Sequence, residues 1–135
     1  MRLNGRTVLA WVVVLNLVAS AIHYSHNAMY FDAYPNEPVW LSPGRIDLLW
    51  FVISPLALAG YWLWSRGHDI GGRLLLGGYA LLGLGVLGHY WLAPLAAHTA
   101  AMNLTIVLEA LMALVLLASI LILRPCARAP AVAPP

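Results

Sequence analysis

The chain has 135 residues, of which 62% are hydrophobic and only 9% are charged, and its mean hydropathy is +0.82. Soluble domains carry about 25% charged residues, so this composition argues against a soluble enzyme or a soluble binding module and favours an integral membrane protein. The formal net charge of +2 does not point to nucleic acid, because the arginines that produce it are placed as orientation signals of a membrane protein.

Four apolar runs each reach the ~20 residues that a membrane-spanning helix needs. They cover approximately residues 7–28, 46–65, 74–93 and 100–123. The connections between them are too short to hold a soluble domain. Residues 1–124 are therefore predicted to form one all-α domain, an integral membrane bundle of four transmembrane helices surrounded by the lipid bilayer.

If the chain crosses the membrane four times, its positive charge is distributed unequally between the two sides. One side receives Arg2, Arg6, Arg66, Arg73, Arg124 and Arg128, whereas the other side receives Arg45 alone. By the positive-inside rule, the N and C termini are predicted to be cytoplasmic. The chain contains no lysine, which suggests a GC-rich bacterial genome, so the predicted location is the bacterial inner membrane, crossed several times.

The two ends of the chain carry further expectations. The N-terminal residues also match a cleavable signal peptide, with Arg2 and Arg6 as its basic start, residues 8–18 as its apolar stretch and Ala19-Ser20-Ala21 as the cleavage site. Apolar and aromatic residues nevertheless continue past that site. Residues 125–135 are rich in proline and alanine and are predicted to be a disordered tail. Cys126 is the single cysteine, so it cannot form an internal disulfide.

Residues 30–44 form the longest predicted loop, on the extracytoplasmic side. They include aromatic residues typical of a membrane interface: Tyr30, Phe31, Tyr34 and Trp40. Three prolines restrict the backbone: Pro35, Pro38 and Pro43. The loop is predicted either to cover the outer helix ends as a lid or to act as an interfacial anchor. Ser42 and Pro43 predict the start of the second helix, with Asp47 in its first turn.

Glycine spacing and tryptophan placement predict how the spans pack. Gly78 and Gly85 lie a heptad apart on the third run, so a neighbouring helix is expected to approach closely at that face. Trp62 and Trp64 are predicted to lie at the cytoplasmic interface. Close-packing glycines also favour a homo-oligomer or a larger membrane complex.

Three ionisable residues lie within apolar runs: His23, His89 and Glu109. Counted from the arginine that closes each run, each falls about 16 residues along, or ~24 Å at 1.5 Å per residue. This count places all three at one depth, ~6 Å below the far surface of a ~30 Å hydrocarbon slab. Because ionisable groups inside a membrane are costly and rare, they mark a candidate functional site, and these three are the catalytic candidates.

Helical spacing predicts which residues share a face with this site. Asn16, Ser20, His23 and Asn27 are spaced +4, +3, +4 on the first run, and His98, Met102, Thr105 and Glu109 repeat that spacing on the fourth. Two such stripes predict a shared interior face and a polar pocket near the outer surface. The predicted pocket residues are His26, Asn27, Asp47, Trp50, Tyr90, Met102, Asn103 and Thr105.

Several functions fit this pocket. A His–Glu pair in a low dielectric can hold or pass a proton, which predicts binding of a lipophilic small molecule or acid–base chemistry on it. Two histidines and a carboxylate can also hold a metal ion, and facing histidines can hold haem. The metal candidates are His23, His26, His89 and Glu109. In the remaining alternatives, the chain is a small transporter or an accessory subunit of a membrane complex, with the polar layer serving as hydrogen-bonded packing.

Overall fold

The computed structural model describes residues 4–124, so the predicted tail at 125–135 and residues 1–3 lie outside the described residues. Within the described residues the fold is all-helical. The α-helices are α1 (Gly5–Met29), α2 (Pro43–Ser65), α3 (Asp69–Leu84), α4 (His89–Leu92) and α5 (Ala100–Ile122). Short 3₁₀ helices occupy Phe31–Ala33, Gly85–Gly88 and Leu95–Ala97.

Four segments of residues 4–124 are long and apolar enough to cross a membrane: Gly5–Met29, Pro43–Ser65, Asp69–Leu92 and Ala100–Ile122. The third segment joins α3, the following 3₁₀ turn and α4. Large apolar side chains such as Trp11, Leu58 and Leu121 are more than half exposed on the outer surface of the bundle. Apolar surface of this extent is unusual for a soluble monomer, which supports the predicted class of multi-pass membrane protein.

Helices α2 and α3 begin several residues before the apolar runs on which their spans were predicted. Helix α2 begins at Pro43 rather than at residue 46, and α3 begins at Asp69 rather than at residue 74, because a helix can start with a polar first turn. Ser42 is the N-cap of α2, as predicted, but its side chain makes no capping hydrogen bond. Asp47 was predicted in the first turn of α2. It is the fifth residue of the helix and therefore lies beyond that turn.

We call the end of the bundle at Arg6, Arg66, Arg73 and Arg124 the basic end, and the opposite end, where residues 30–42 connect α1 to α2, the loop end. An apolar core fills the half toward the basic end: Leu9, Val13, Ala57, Trp64, Leu76, Tyr79, Ala80, Ala113, Leu116 and Ile120. Arginines join the helix ends there. Arg6 Nη2 donates to the Ser65 carbonyl at 2.5 Å, and Arg73 Nη2 donates to the Leu123 carbonyl at 2.8 Å.

Helices α2 and α3 approach each other most closely near the basic end. A Cβ added to Gly72 would lie 2.5 Å from Trp64 Cβ, and one added to Gly60 would lie 2.9 Å from Leu76. The prediction of close contact at Gly78 and Gly85 is wrong, because an added Cβ would meet no packed atom within 4 Å at either position. Trp64 is completely buried against Gly72, whereas Trp62 is more than half exposed, and their place at the cytoplasmic interface stays a prediction.

Candidate functional site

Buried polar side chains lie along one face of α1 and one face of α5, which pack against each other. All four members of the stripe predicted on α1 are buried, and so are Met102, Thr105 and Glu109 on α5. The shared interior face predicted from helical spacing is therefore confirmed. It lies in the half of the bundle toward the loop end and holds the residues described below.

His23, His26, His89 and His98 form a cluster at the loop end. His23 Nδ1 lies 3.3 Å from Thr105 Oγ1, and the His23 and His89 ring centroids are 5.4 Å apart. The Thr105 hydroxyl donates to the Met102 carbonyl at 3.0 Å. A hydroxyl has one proton, so when Thr105 donates to this carbonyl, it accepts a hydrogen bond from Nδ1–H of His23.

Tyr34 closes the histidine cluster from the loop. It is only 5% exposed, and its hydroxyl lies 2.9 Å from His26 Nδ1. Its ring centroid is 5.2 Å from that of His89. Burial raises the pKa of the Tyr34 phenol. The phenol is therefore protonated at neutral pH and able to donate to His26.

Glu37 also reaches the cluster from the loop, and the sequence reasoning missed it. Glu37 Oε1 lies 3.3 Å from His89 Nδ1, and its side chain is only 6% exposed. On the other edge of the same ring, Asn27 Nδ2 lies 3.3 Å from His89 Nε2. Neither Glu37 Oε1 nor His89 Nδ1 completes a hydrogen bond at this distance, so the carboxyl group lies beside the ring without being hydrogen-bonded to it. The available signal was an acidic residue between Pro35 and Pro38, in a chain with only five acidic residues.

His98, the first member of the stripe predicted on the fourth run, also lies in the histidine cluster. Although it precedes α5 in a connecting segment, it is buried, and its Nδ1 donates to the Pro94 carbonyl at 3.1 Å. Its ring centroid is 6.2 Å from that of His89 and 5.5 Å from that of Tyr90. The member of the α5 stripe outside the helix thus joins the histidine cluster.

Glu109 lies deeper in the bundle than the histidine cluster. It is 2% exposed, and its Oε2 has no hydrogen-bond partner within residues 4–124. The Ser20 hydroxyl is beside the carboxyl, but it also completes no hydrogen bond there. A Cβ on Gly83 would lie 3.8 Å from Glu109 Oε1, so α3 passes directly beside the carboxyl group.

The three catalytic candidates do not share one level along the bundle. His23 contacts Thr105, which precedes Glu109 by four residues on α5, so Glu109 lies about one helical turn, or ~6 Å, nearer the basic end. Counting from the arginines treated them as equivalent helix ends. In the structure, Arg73 is the fifth residue of α3, whereas Arg124 follows the end of α5.

A cavity of about 390 Å³ connects the level of Glu109 with the histidine cluster. It lies between α1, α2 and α3, and residues 37–41 of the loop cover it. Its polar lining consists of Tyr24, Asn27, Glu37, His89 and Glu109. Apolar residues make up most of the remainder: Pro38, Trp40, Leu41, Ile46, Leu49, Leu82, Val86, Trp91 and Leu92. Trp40 and Trp91 are more than half exposed, so the cavity is open on their side.

Other predicted pocket residues lie away from the cavity. Asp47 is exposed on α2, and Trp50 packs on Phe51 with ring centroids 5.1 Å apart. The Tyr90 hydroxyl donates to Asn103 Oδ1 at 2.9 Å, and Asn103 Nδ2 donates to backbone carbonyls before α5. The backbone amide of Met102 donates to the N-cap Thr99 hydroxyl. The contacts of Tyr90, Asn103 and Met102 fix the start of α5 and do not form the cavity wall.

The predicted metal ligands are not assembled as a set. Within residues 4–124, no three side chains of histidine, cysteine, aspartate or glutamate converge in an arrangement that would hold a metal ion. His26 contacts Tyr34, and His89 contacts Glu37 and Asn27, whereas Glu109 lies a turn away. The arrangement supports a hydrogen-bonded cluster above an apolar cavity.

No protein-family model, curated protein or solved structure matches this chain. The function of the site is therefore inferred from its own residues and geometry.

Proposed function

We propose that this protein is a multi-pass protein of the bacterial inner membrane that binds a lipophilic small molecule in the cavity beside Glu109. The observation that carries the proposal is the combination of a largely apolar cavity of about 390 Å³ with a buried carboxyl oxygen that has no partner within residues 4–124. Small-molecule sites are typically concave and mostly apolar, with a few polar groups that orient the ligand.

The cavity presents polar groups at two levels. Glu109 lies at the deeper level, and Asn27, Glu37 and His89 lie near the loop. Apolar side chains such as Leu82 and Val86 line the same cavity. A ligand with one polar group and an apolar body fits this distribution, with the polar group at Glu109 and the body against the apolar wall.

Acid–base chemistry on the bound molecule is compatible with the same residues. His89 and Glu109 both line the cavity, so a ligand of sufficient length contacts both. Glu37 Oε1 lies 3.3 Å from Nδ1 of the same ring without completing a hydrogen bond, so a carboxyl group stands beside the histidine that would act on the ligand. His23 lies behind His89 and contacts Thr105, which gives it a positioning role toward His89.

A substitution that fills the cavity tests the proposal. Gly85 lines the cavity, and a Cβ added there would meet no packed atom within 4 Å, so Gly85→Leu should occupy ligand space without displacing the backbone. Gly78 has equally open surroundings but does not line the cavity. Gly78→Leu, in the same candidate membrane segment Asp69–Leu92, is therefore the matched control.

Binding would be measured by equilibrium dialysis of protein in lipid nanodiscs, with empty nanodiscs subtracted. The probes are three compact cage compounds: 1-adamantanol, 1-adamantylamine and adamantane-1-carboxylate. At least one should bind saturably to the wild type and to Gly78→Leu, and about tenfold or more weakly to Gly85→Leu, since a tenfold change needs only ~1.4 kcal/mol. Partitioning without saturation, or equal binding by both glycine variants, would contradict the proposal.

A further inference from the structure

We infer that the ligand of this cavity is a lipophilic amine, bound in its ammonium form at Glu109. The inference rests on the proposed function and names the chemical class of its ligand. Three features of the cavity support an ammonium group: the charges that line it, the state of the Glu109 carboxyl, and the aromatic side chains around it.

The ionisable groups of the cavity are predominantly acidic. Glu37 and Glu109 line it, and no arginine is among its lining residues. Of the arginines in residues 4–124, Arg45 alone lies at the loop end, and its guanidinium donates to the Trp40 carbonyl. His89, the only histidine in the lining, faces Glu37. A cationic ligand is therefore favoured over an anionic one by the cavity itself.

The Glu109 carboxyl lacks a donor that a ligand could supply. It is 2% exposed, and its Oε2 has no hydrogen-bond partner within residues 4–124. A buried polar group without a partner is costly. An ammonium group supplies up to three donors together with the opposite charge, and charge-assisted hydrogen bonds are about twice as strong as neutral ones. A neutral alcohol supplies a single donor, whereas a carboxylate ligand supplies none.

Aromatic rings surround the same space. Tyr24, Trp40 and Trp91 all line the cavity. Aromatic faces attract cations as well as apolar groups, with tryptophan as the strongest partner. The rings therefore suit both parts of a lipophilic amine, whose charged head and apolar body would enter past Trp40 and Trp91.

The three cage probes differ mainly in their polar group, so they separate charge from apolar fit. At about pH 7, an aliphatic amine with a pKa of ~10.4 is protonated. The amine is expected to bind about tenfold or more tightly than the alcohol, since charge-assisted hydrogen bonds are the stronger ones, and the carboxylate is expected to bind most weakly. Equal binding of amine and alcohol would overturn the inference.

Two isosteric variants test the role of Glu109. Glu109→Gln should reduce amine affinity to about that of the alcohol and leave alcohol binding unchanged, and unchanged alcohol binding also shows that the cavity is folded. Asp47→Asn removes the same charge from an exposed position at the loop end that does not line the cavity. It should leave the amine preference intact. A preference that survives Glu109→Gln, or falls equally in Asp47→Asn, would overturn the inference, as would loss of both probes in Glu109→Gln.

The two proposals fail in different ways. If Gly85→Leu blocks amine and alcohol alike but their affinities are equal, the cavity binds lipophilic molecules and the amine assignment is wrong. If Gly85→Leu blocks none of the probes, the cavity is not the binding site and both proposals are wrong.

Discussion

Gly72 is the position where the fold has least room for a larger side chain. An added Cβ would lie 2.5 Å from Trp64 Cβ and 2.7 Å from Trp64 Cα. Because one of these atoms belongs to the backbone, a change of side-chain rotamer cannot relieve the contact. The glycine thus allows α3 to pack directly on α2 and to bury Trp64 completely.

Gly72→Ala is expected to destabilise the bundle by about 1–3 kcal/mol, the usual range for overpacking a closely packed contact. Gly78→Ala is the matched control on the same helix, where an added Cβ meets no packed atom within 4 Å. It should stabilise α3 by roughly 0.5–1 kcal/mol, because alanine loses less backbone entropy than glycine in a helix. Thermal unfolding in mild detergent would measure both. Equal melting temperatures would contradict the packing seen at Gly72.

The histidines of the loop end illustrate why residue type alone does not assign a role. Nδ1 of His23 contacts a threonine, Nδ1 of His26 contacts Tyr34, and Nδ1 of His98 donates to a backbone carbonyl. His89 instead has an amide on one side and a carboxylate on the other, and it alone among them lines the cavity. The chemistry available to each imidazole follows from these different partners.

At the scale of elements, residues 30–42 form an ordered connection held at two points. Asn36 Nδ2 donates to the Leu92 carbonyl at 2.8 Å, which joins the loop to the end of α4. Asn36 also has a φ of 59°, in the left-handed region that asparagine tolerates better than most residues. Tyr34 provides the second point through His26. Together these contacts place Glu37 at the histidine cluster.

Asn36→Ala is expected to loosen this loop, because it removes the contact to Leu92 and places an alanine in the left-handed region. Asn36→Gly removes the same hydrogen bond, worth about 0.5–1.5 kcal/mol, but has no left-handed penalty. Hydrogen exchange of residues 30–42 should therefore rise in both variants, with the larger increase in Asn36→Ala. Unchanged exchange in both would show that the Asn36 contact does not hold the loop.

The sequence could predict which faces of the helices are buried, because this depends on the regular spacing of residues along each helix. The buried faces of α1 and α5 follow a period near 3.6 residues, so Asn16, Ser20, His23 and Asn27 could be assigned to one face from their spacing alone. The start of α3 could not be found from apolar runs, because its first turns include Asp69 and Arg73. These two residues form an i,i+4 ion pair at 2.6 Å, which is itself a helical signal.

Contacts between elements were not predictable in the same way. The close approach at Gly60 and Gly72 depends on where two helices cross, and a heptad spacing within one helix does not contain that information. Glu37 reaches His89 from a loop, where no periodicity relates position to direction. The cavity depends on both features, so its position follows only from the assembled fold.

At the scale of the whole molecule, the bundle separates apolar from polar interiors and basic from acidic ends. The apolar core and four described arginines lie toward the basic end, whereas the histidine cluster and the cavity lie toward the loop end. Asp32, Glu37 and Asp47 also belong to the loop end. Since arginine is retained on the cytoplasmic side of membrane proteins, this separation predicts that the cavity opens toward the periplasmic face.

The single cysteine offers a direct test of this orientation. Cys126 follows Arg124 in the sequence, so a maleimide that cannot cross membranes should label it only after bacterial cells are permeabilised. In the background of Cys126→Ser, Asp32→Cys places a thiol at an exposed position of the loop end and should be labelled in intact cells. The reversed pattern would contradict cytoplasmic termini. Labelling of both positions in intact cells would contradict the three membrane crossings that are predicted between residues 32 and 126.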